Sequence, residues 1–121
     1  MARQTKEGVG WRLGWNPDAG EFRGLVGGEN WAIELTEAEL DDFYRLTMQL
    51  ATALSQIRSE LSNEERICCE AESDLLWLEA EGYPHAYTLH LIVLTGRRGE
   101  GLWSETAVPG LIQAIQSLKV F

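Results

Sequence analysis

"TEAELDDFYRLTMQLATALSQIRSELS", residues 36–62, decides the fold. Thr36 followed three residues later by Glu39 is a capping box: each side chain reaches the other's backbone N–H and opens a helix. No glycine or proline interrupts the run to Ser62. Leu40, Phe43, Thr47, Leu50, Leu54, Ile57 and Leu61 recur at alternating spacings of three and four, the period of one helix face. Tyr44, Met48 and Ala51 widen the stripe on one side, Leu46 and Ala53 on the other. At ~100° per residue the apolar arc takes in about half the circumference. About 25 residues at ~1.5 Å each make a rod of ~37 Å. A compact domain of this size has a radius of gyration near ~14 Å, so the rod is as long as the domain. One sheet covers only part of so wide an arc. The rest needs the C-terminal helix of the same chain or a second copy, and symmetric dimers are the commonest way to bury such a face. A homodimer is the expectation, built on Leu40, Phe43, Tyr44, Leu50, Leu54, Ile57 and Leu61.

Outward from the helix, the period changes to two. "GWRLGW" puts Trp11, Leu13 and Trp15 on one face of a strand and Arg12 and Gly14 on the other. "NPDAG" is turn chemistry, "FRGLV" a second strand, "GGEN" a turn, and "WAIEL" a third strand with Trp31, Ile33 and Leu35 on one side. Residues 1–8 read as a loose tail. After the helix, "RICCEAES" and "DLLWLEAE" pair across a tight turn at Ser73-Asp74. That register sets Ile67, Cys69 and Ala71 opposite Ala80, Leu78 and Leu76, and Cys68 opposite Glu79. "AYTLHLIVLT" points Tyr87, Leu89, Leu91 and Val93 inward, and "GLWSE" pairs back to it. "VPGLIQAIQSL" closes the chain as a short amphipathic helix carrying Val108, Leu111, Ile112, Ile115 and Leu118 on one face. The prediction is one α+β domain over residues 1–121. It has antiparallel sheets of about seven strands, one long central helix and a short C-terminal helix.

Size and charge narrow the function classes. A chain of 121 residues suits one domain. Nineteen acidic residues against ten basic ones leave a net charge of −9, which repels phosphate backbones and anionic membranes unless the arginines gather in one place. The opening "MARQTKEGVG" has no apolar core of a signal peptide, and the longest clean apolar run, "LIVL", is far too short to span a bilayer. The two cysteines, Cys68 and Cys69, are adjacent and point to opposite faces of a strand, so they staple nothing. A reduced, cytoplasmic setting is expected.

Glu70, Glu72 and Glu79 share a sheet face, but a hard cation needs about six oxygens in a closed geometry. His85 and His90 are five apart and face opposite ways on a strand, with no Cys or acid at ligand spacing. Cys68 beside Glu79 has a raised pKa, the reverse of a nucleophile's. No metal, cofactor or catalytic residue is expected. The loop "LTGRRGEGLW", residues 94–103, raises the question of a phosphate cradle. Such a loop must lead into a helix N-terminus, whereas this one leads into a strand; a hairpin turn, with glycine supplying positive φ, is the expectation. Arg97 and Arg98 at its tip, Trp103 after it, Trp77 on the charged face, and Arg12 and Arg23 on early strands remain the candidate contacts for a partner or nucleic acid. Arginines interleaved with aromatics suit both.

Together "GWRLGWNP", "LVGGENWAIELTEAEL", "WLEAEGYPHAYTLHLIVL" and "GRRGEGLW" resemble a small cyanobacterial family defined by a domain of unknown function, from about Gly8 to Leu118. The family's fold is similar to that of the Whirly proteins and the transcriptional coactivator positive cofactor four, which are single-stranded-DNA-binding regulators with long helices, often exchanged in dimers. The resemblance implies a Whirly-like fold and brings no catalytic residue. It does not carry over DNA binding, since the Lys-Gly-Lys-Ala-Ala-Leu motif of the Whirly proteins has no counterpart here. The functional expectation is a non-enzymatic binding module, a homodimer acting through protein–protein interaction. A single-stranded nucleic-acid-binding regulator is the alternative, and a small-molecule enzyme comes third.

Overall fold

The computed structural model describes residues 2–58 and 65–119. Four strands come first: β1 (Gln4–Gly8), β2 (Trp11–Trp15), β3 (Gly24–Gly27) and β4 (Ala32–Leu35), paired in chain order as an antiparallel meander. Helix α1 (Glu37–Arg58) follows. A second meander of β5 (Ile67–Glu72), β6 (Leu76–Tyr83), β7 (Ala86–Val93) and β8 (Glu100–Trp103) leads into helix α2 (Val108–Ile115). The chain is thus two successive units of four strands and a helix. The α+β class, the antiparallel sheets, the long helix and the short C-terminal helix match the prediction. The described residues hold eight strands against about seven expected.

The additional strand is β1, which falls in the expected tail. "QTKEG" is polar, but an edge strand facing solvent needs no apolar alternation. It is fixed by its ladder to β2, from Gln4 opposite Trp15 to Gly8 opposite Trp11. Side chains tie it to the C-terminus: Lys6 Nζ donates to Ser117 Oγ at 2.7 Å, and Gln4 Oε1 accepts the Lys119 N–H at 2.9 Å.

The β5–β6 hairpin is shifted from the expected register. Cys69 faces Ala80, Ala71 faces Leu78, and Glu70 faces Glu79. The turn is therefore one residue later, at Asp74-Leu75, with Ser73 N–H donating to Leu76 O at 2.9 Å. The Ser73 hydroxyl is the cause: it accepts the N–H groups of Leu75 and Leu76 at 3.1 and 3.2 Å and so closes the turn around itself. The pairing slides by two residues, which preserves the side each residue faces.

The capping box forms as predicted. Glu39 Oε1 accepts the Thr36 N–H at 2.9 Å, and Thr36 Oγ1 accepts the Glu39 N–H at 3.2 Å. Helix α1 buries Leu40, Phe43, Leu46, Thr47, Leu50 and Leu54. Its buried arc leans toward Leu46; Tyr44, on the opposite flank, is 45% exposed. The cover comes largely from the other half of the chain: α1 packs chiefly on β5 and β6, more lightly on β3 and β4, while α2 packs on β2. Each unit's helix thus lies over the other unit's sheet. Of the expected dimer face, Leu40, Phe43, Leu50 and Leu54 are buried within one chain and Ile57 partly so; Leu61, with the expected extension of the helix to Ser62, lies outside the described residues. The helix's girth does not by itself require a second molecule.

Candidate interaction surfaces

The loop after β7 is built as a clamp. Val93 N–H donates to Gly99 O at 2.7 Å, and Arg98 N–H to Thr95 O at 3.0 Å. Its glycines do not supply the positive φ expected of them; Arg98 takes it, at φ 50°. Two of them are close-approach positions instead. A Cβ on Gly99 would sit 3.3 Å from Ile33 Cδ1, and one on Gly101 would sit 2.3 Å from the Trp31 ring. Arg97 turns back onto the first unit, donating to Glu34 O and to Glu39 Oε1, with its guanidinium 4.6 Å from the Phe22 ring centre. Thr95 Oγ1 donates to the other oxygen of Glu39 at 3.1 Å. The Glu39 side chain is only 3% exposed. Burial alone would raise its pKa; the Thr36 amide, Arg97 and Thr95 outweigh that and hold the carboxyl below its usual range. Arg97 is therefore a structural ion-pair partner, and Arg98 alone projects from the tip, with no ion pair among the described residues.

Trp103 is likewise internal. It is fully buried, opposite Leu89, and its Nε1 donates to Gly27 O at 2.8 Å. Trp31 reciprocates from the first unit: its Nε1 donates to Leu102 O at 3.1 Å, and its ring lies 4.8 Å from that of Trp103. The two indoles latch the meanders together, and Trp103 is occupied within the chain. A signal for this was present in the sequence. Counting alternate residues back across the hairpin from inward Leu89 and Leu91 lands on Trp103 and Gly101.

Arg12 and Arg23 do gather, on the outer face of the first meander. The alternation of β2 sets Arg12 and Gly14 opposite in direction to the buried Leu13 and Trp15. Thr5, Gly14 and Leu25 form one row across the sheet, with Arg12 in the next row. Arg3, just before β1, and Arg23, just before β3, stand at the other end beside Asn16, whose N–H donates to Arg23 O at 2.8 Å. Arg3, Thr5, Arg12, Gly14, Arg23 and Leu25 line a groove of about 260 Å³. Arg3 was missed by the sequence reading because it fell in the expected tail. Arg23 shares Glu37 with Lys119, at 3.6 and 3.2 Å. Arg12 reaches only Trp31 O, at 3.5 Å, and Arg3 has no ion pair among the described residues. Over residues 1–35, which carry the whole first meander, four basic side chains stand against five acidic ones; over residues 36–121 the numbers are six and fourteen.

The outer face of the second meander is acidic. Glu70 and Glu79 are direct cross-strand neighbours. Trp77 is half-buried there; its Nε1 donates to Glu70 at 3.4 Å, and its ring stands edge-on to His90 at 5.3 Å. His90 meets Glu100 at 2.9 Å across the next hairpin, a neighbour that sequence spacing did not reveal. The Cys68 thiol donates to Glu79 Oε2 at 3.2 Å. That hydrogen bond, with burial and the repulsion of Glu79, Glu81 and Glu70, pushes the thiol up to about 11, in the direction expected. Ligand atoms of Cys68, Glu79 and Glu81 lie within 4.8 Å of one another, an exposed cluster whose hydrogen atom already bridges thiol and carboxylate. No helix among the described residues is long and apolar enough to cross a membrane.

Comparison with known proteins places this geometry in a family. A solved structure of a protein of unknown function, from the DUF155 family of Prochlorococcus sp. NATL2A, is similar at 28% identity, with a TM-score of 0.89 over 98% of each chain. No curated protein matches the chain. The family model described as a domain of unknown function, DUF1818, matches residues 6–118, from within β1 to the end of the turn after α2. The chain belongs to the DUF1818 family.

Proposed function

We propose that this chain is a non-enzymatic binding module that acts through protein–protein contacts. The observation that carries the reading is the division of its surface. The polar groups drawn inside, Glu39, Arg97 and Thr95, serve the joint between the two units. The outer sheet faces differ in charge: the second is strongly acidic, with Glu70, Glu72, Glu79 and Glu81, whereas the first sets Arg3, Arg12 and Arg23 beside Glu7 and Glu34. Two accessible sheet faces of unlike charge give electrostatic choice of partner and orientation. Two free thiols, Cys68 and Cys69, accord with a cytoplasmic setting. A homodimer belongs to the proposal, its basis now the exposed flank of α1 at Tyr44 in place of the helix's girth. Affinity capture from a cyanobacterial lysate tests the module reading, with wild type, Arg12→Glu/Arg23→Glu and Glu79→Lys/Glu81→Lys as baits. A stoichiometric protein lost with one charge reversal supports it; no stoichiometric protein with any bait refutes it. Light scattering at micromolar concentration decides the dimer, since a one-chain mass removes it.

A second reading, single-stranded nucleic-acid binding, draws on the same three arginines and on the resemblance to single-stranded-DNA-binding regulators. Two of its original contacts, Arg97 and Trp103, are occupied internally, and the net charge of −9 opposes it. Fluorescence anisotropy with labelled oligonucleotides at low salt tests it; absence of binding there ends it.

A further inference from the structure

The groove over Gly14 has a definite chemistry. Its lining is net cationic, Arg12 beside Glu7 at one end and Arg3 with Arg23 at the other, and its middle is a shallow dip. Gly14 leaves that dip: a Cβ there would meet Leu25 Cβ at 3.3 Å. Thr5 and Leu25 flank it, one offering a hydroxyl and the other methyl groups. Same-face residues along a strand are spaced ~6.8 Å, so the arginine rows lie about 13 Å apart on either side of the Gly14 row. An extended chain has the same repeat. Carboxylates four residues apart in an extended peptide therefore meet both arginine rows, and a small side chain midway between them enters the dip against Leu25. Guanidinium groups take carboxylates through paired hydrogen bonds, and Arg12 and Arg3 have donors to offer.

We infer that this groove docks an extended, carboxylate-rich peptide segment of a partner protein, with acidic residues four apart. The inference rests on the protein-interaction reading above and names the partner's chemistry. A nucleic acid fits the groove less well. No exposed aromatic lines it for bases to stack on, since Trp15 faces the core. A long polyanion would also run beyond the groove over the surface of a chain with a net charge of −9. A short segment stays within the groove, where Glu7 beside Arg12 is its acidic neighbour.

The test is anisotropy of a labelled peptide, Gly-Ser-Glu-Thr-Ala-Thr-Glu-Ser-Gly, with the full chain at about 20 mM salt, where exposed charges are little screened. Saturable binding is expected. It should weaken about tenfold or more in Arg3→Ala/Arg12→Ala, in the peptide with both glutamates replaced by glutamine, and at about 300 mM salt. Both arginines are surface groups, so the variant keeps its thermal midpoint within a few degrees, which is measured alongside. Gly14→Val, which fills the dip without touching charge, should weaken binding as well. Equal binding of the glutamine peptide, or of the double variant, overturns the inference. So does an oligothymidine of ten nucleotides that displaces the peptide at lower concentration. Lysate capture separates the two levels: a stoichiometric partner held equally by Arg3→Ala/Arg12→Ala leaves the module reading intact and removes this groove from it.

Discussion

Arg97→Ala measures whether the arginine loop is a structural clamp or a free binding tip. In the structure Arg97 is the cationic partner of Glu39, a carboxylate 3% exposed, and also donates to Glu34 O. Removing one member of a buried ion pair costs ~3–5 kcal/mol, because the other charge is left uncompensated. Two features reduce that here. Arg97 itself is 35% exposed, so part of its charge is already screened. Glu39 also keeps the Thr36 amide and the Thr95 hydroxyl. A cost of about 2–3 kcal/mol follows, which in a domain of this size lowers the melting temperature by about 10 °C. Glu39→Gln keeps an acceptor for the Thr36 N–H and removes the charge, so Arg97→Ala in that background should cost well under half as much. A double-mutant cycle by urea unfolding, followed by tryptophan fluorescence, reads the coupling. The pH dependence is a second readout. Glu39's pKa is lower folded than unfolded, so its contribution is complete above the unfolded value of ~4.3 and is lost as pH falls through the folded one. Wild type should therefore lose its advantage over Glu39→Gln as the pH is lowered below about 4.5. A coupling below ~0.5 kcal/mol, with the two proteins parallel down to pH 3, would refute the clamp and return Arg97 to the surface.

The glycines under Trp31 give a second prediction. Gly101→Ala puts a Cβ 2.3 Å from an indole pinned by Leu102 O and Trp103, so it should destabilise by ~2 kcal/mol or more. Gly20→Ala, with nothing within 4 Å, should be neutral or gain ~0.5 kcal/mol, measured by the same unfolding curves. Thr47 is buried on α1 and its hydroxyl makes no hydrogen bond among the described residues; Thr47→Val should raise stability by ~1 kcal/mol, and a loss would show the hydroxyl is satisfied. The Cys68 thiol, at about 11, should react with an aromatic disulfide at pH 8 roughly a hundredfold more slowly than free cysteine, because only the thiolate attacks. Glu79→Gln should recover most of that rate, and peptide mapping of the labelled chain assigns it to Cys68.

What the sequence made legible was whatever repeats along the chain. The capping box, the period of α1 and the alternation in β2, β4 and β7 are local signals, and each is found in the structure. The faces of β5 and β6 were right even though their register slid by two, because alternation has the same period as the slip. What stayed hidden depends on partners far away in sequence. Glu39 was visible as a cap but not as a buried ion, since Arg97 is 58 residues on. Gly99 and Gly101 looked like turn residues because a tight turn and a close approach ask for the same missing side chain. Arg3 was overlooked with β1, whose polarity is ordinary for an edge strand and carries no periodic signal.

The helix's girth gives a sound premise for a second copy, and one chain supplies much of the cover itself. A four-strand meander does leave half of a long helix bare, and a chain with only one such unit would need a second copy to cover it. This chain contains the unit twice. α1 crosses onto the second sheet and α2 onto the first, so the exchange that could join two molecules takes place between two halves of one. The joint between the halves then has to be held, and that is where Trp31, Trp103, Glu39 and Arg97 are placed. Residues drawn into a joint are lost to a ligand. The two outer sheet faces lie outside that joint, and they differ in charge. Recognition is therefore best sought on those faces, beginning with the arginine-lined groove of the first.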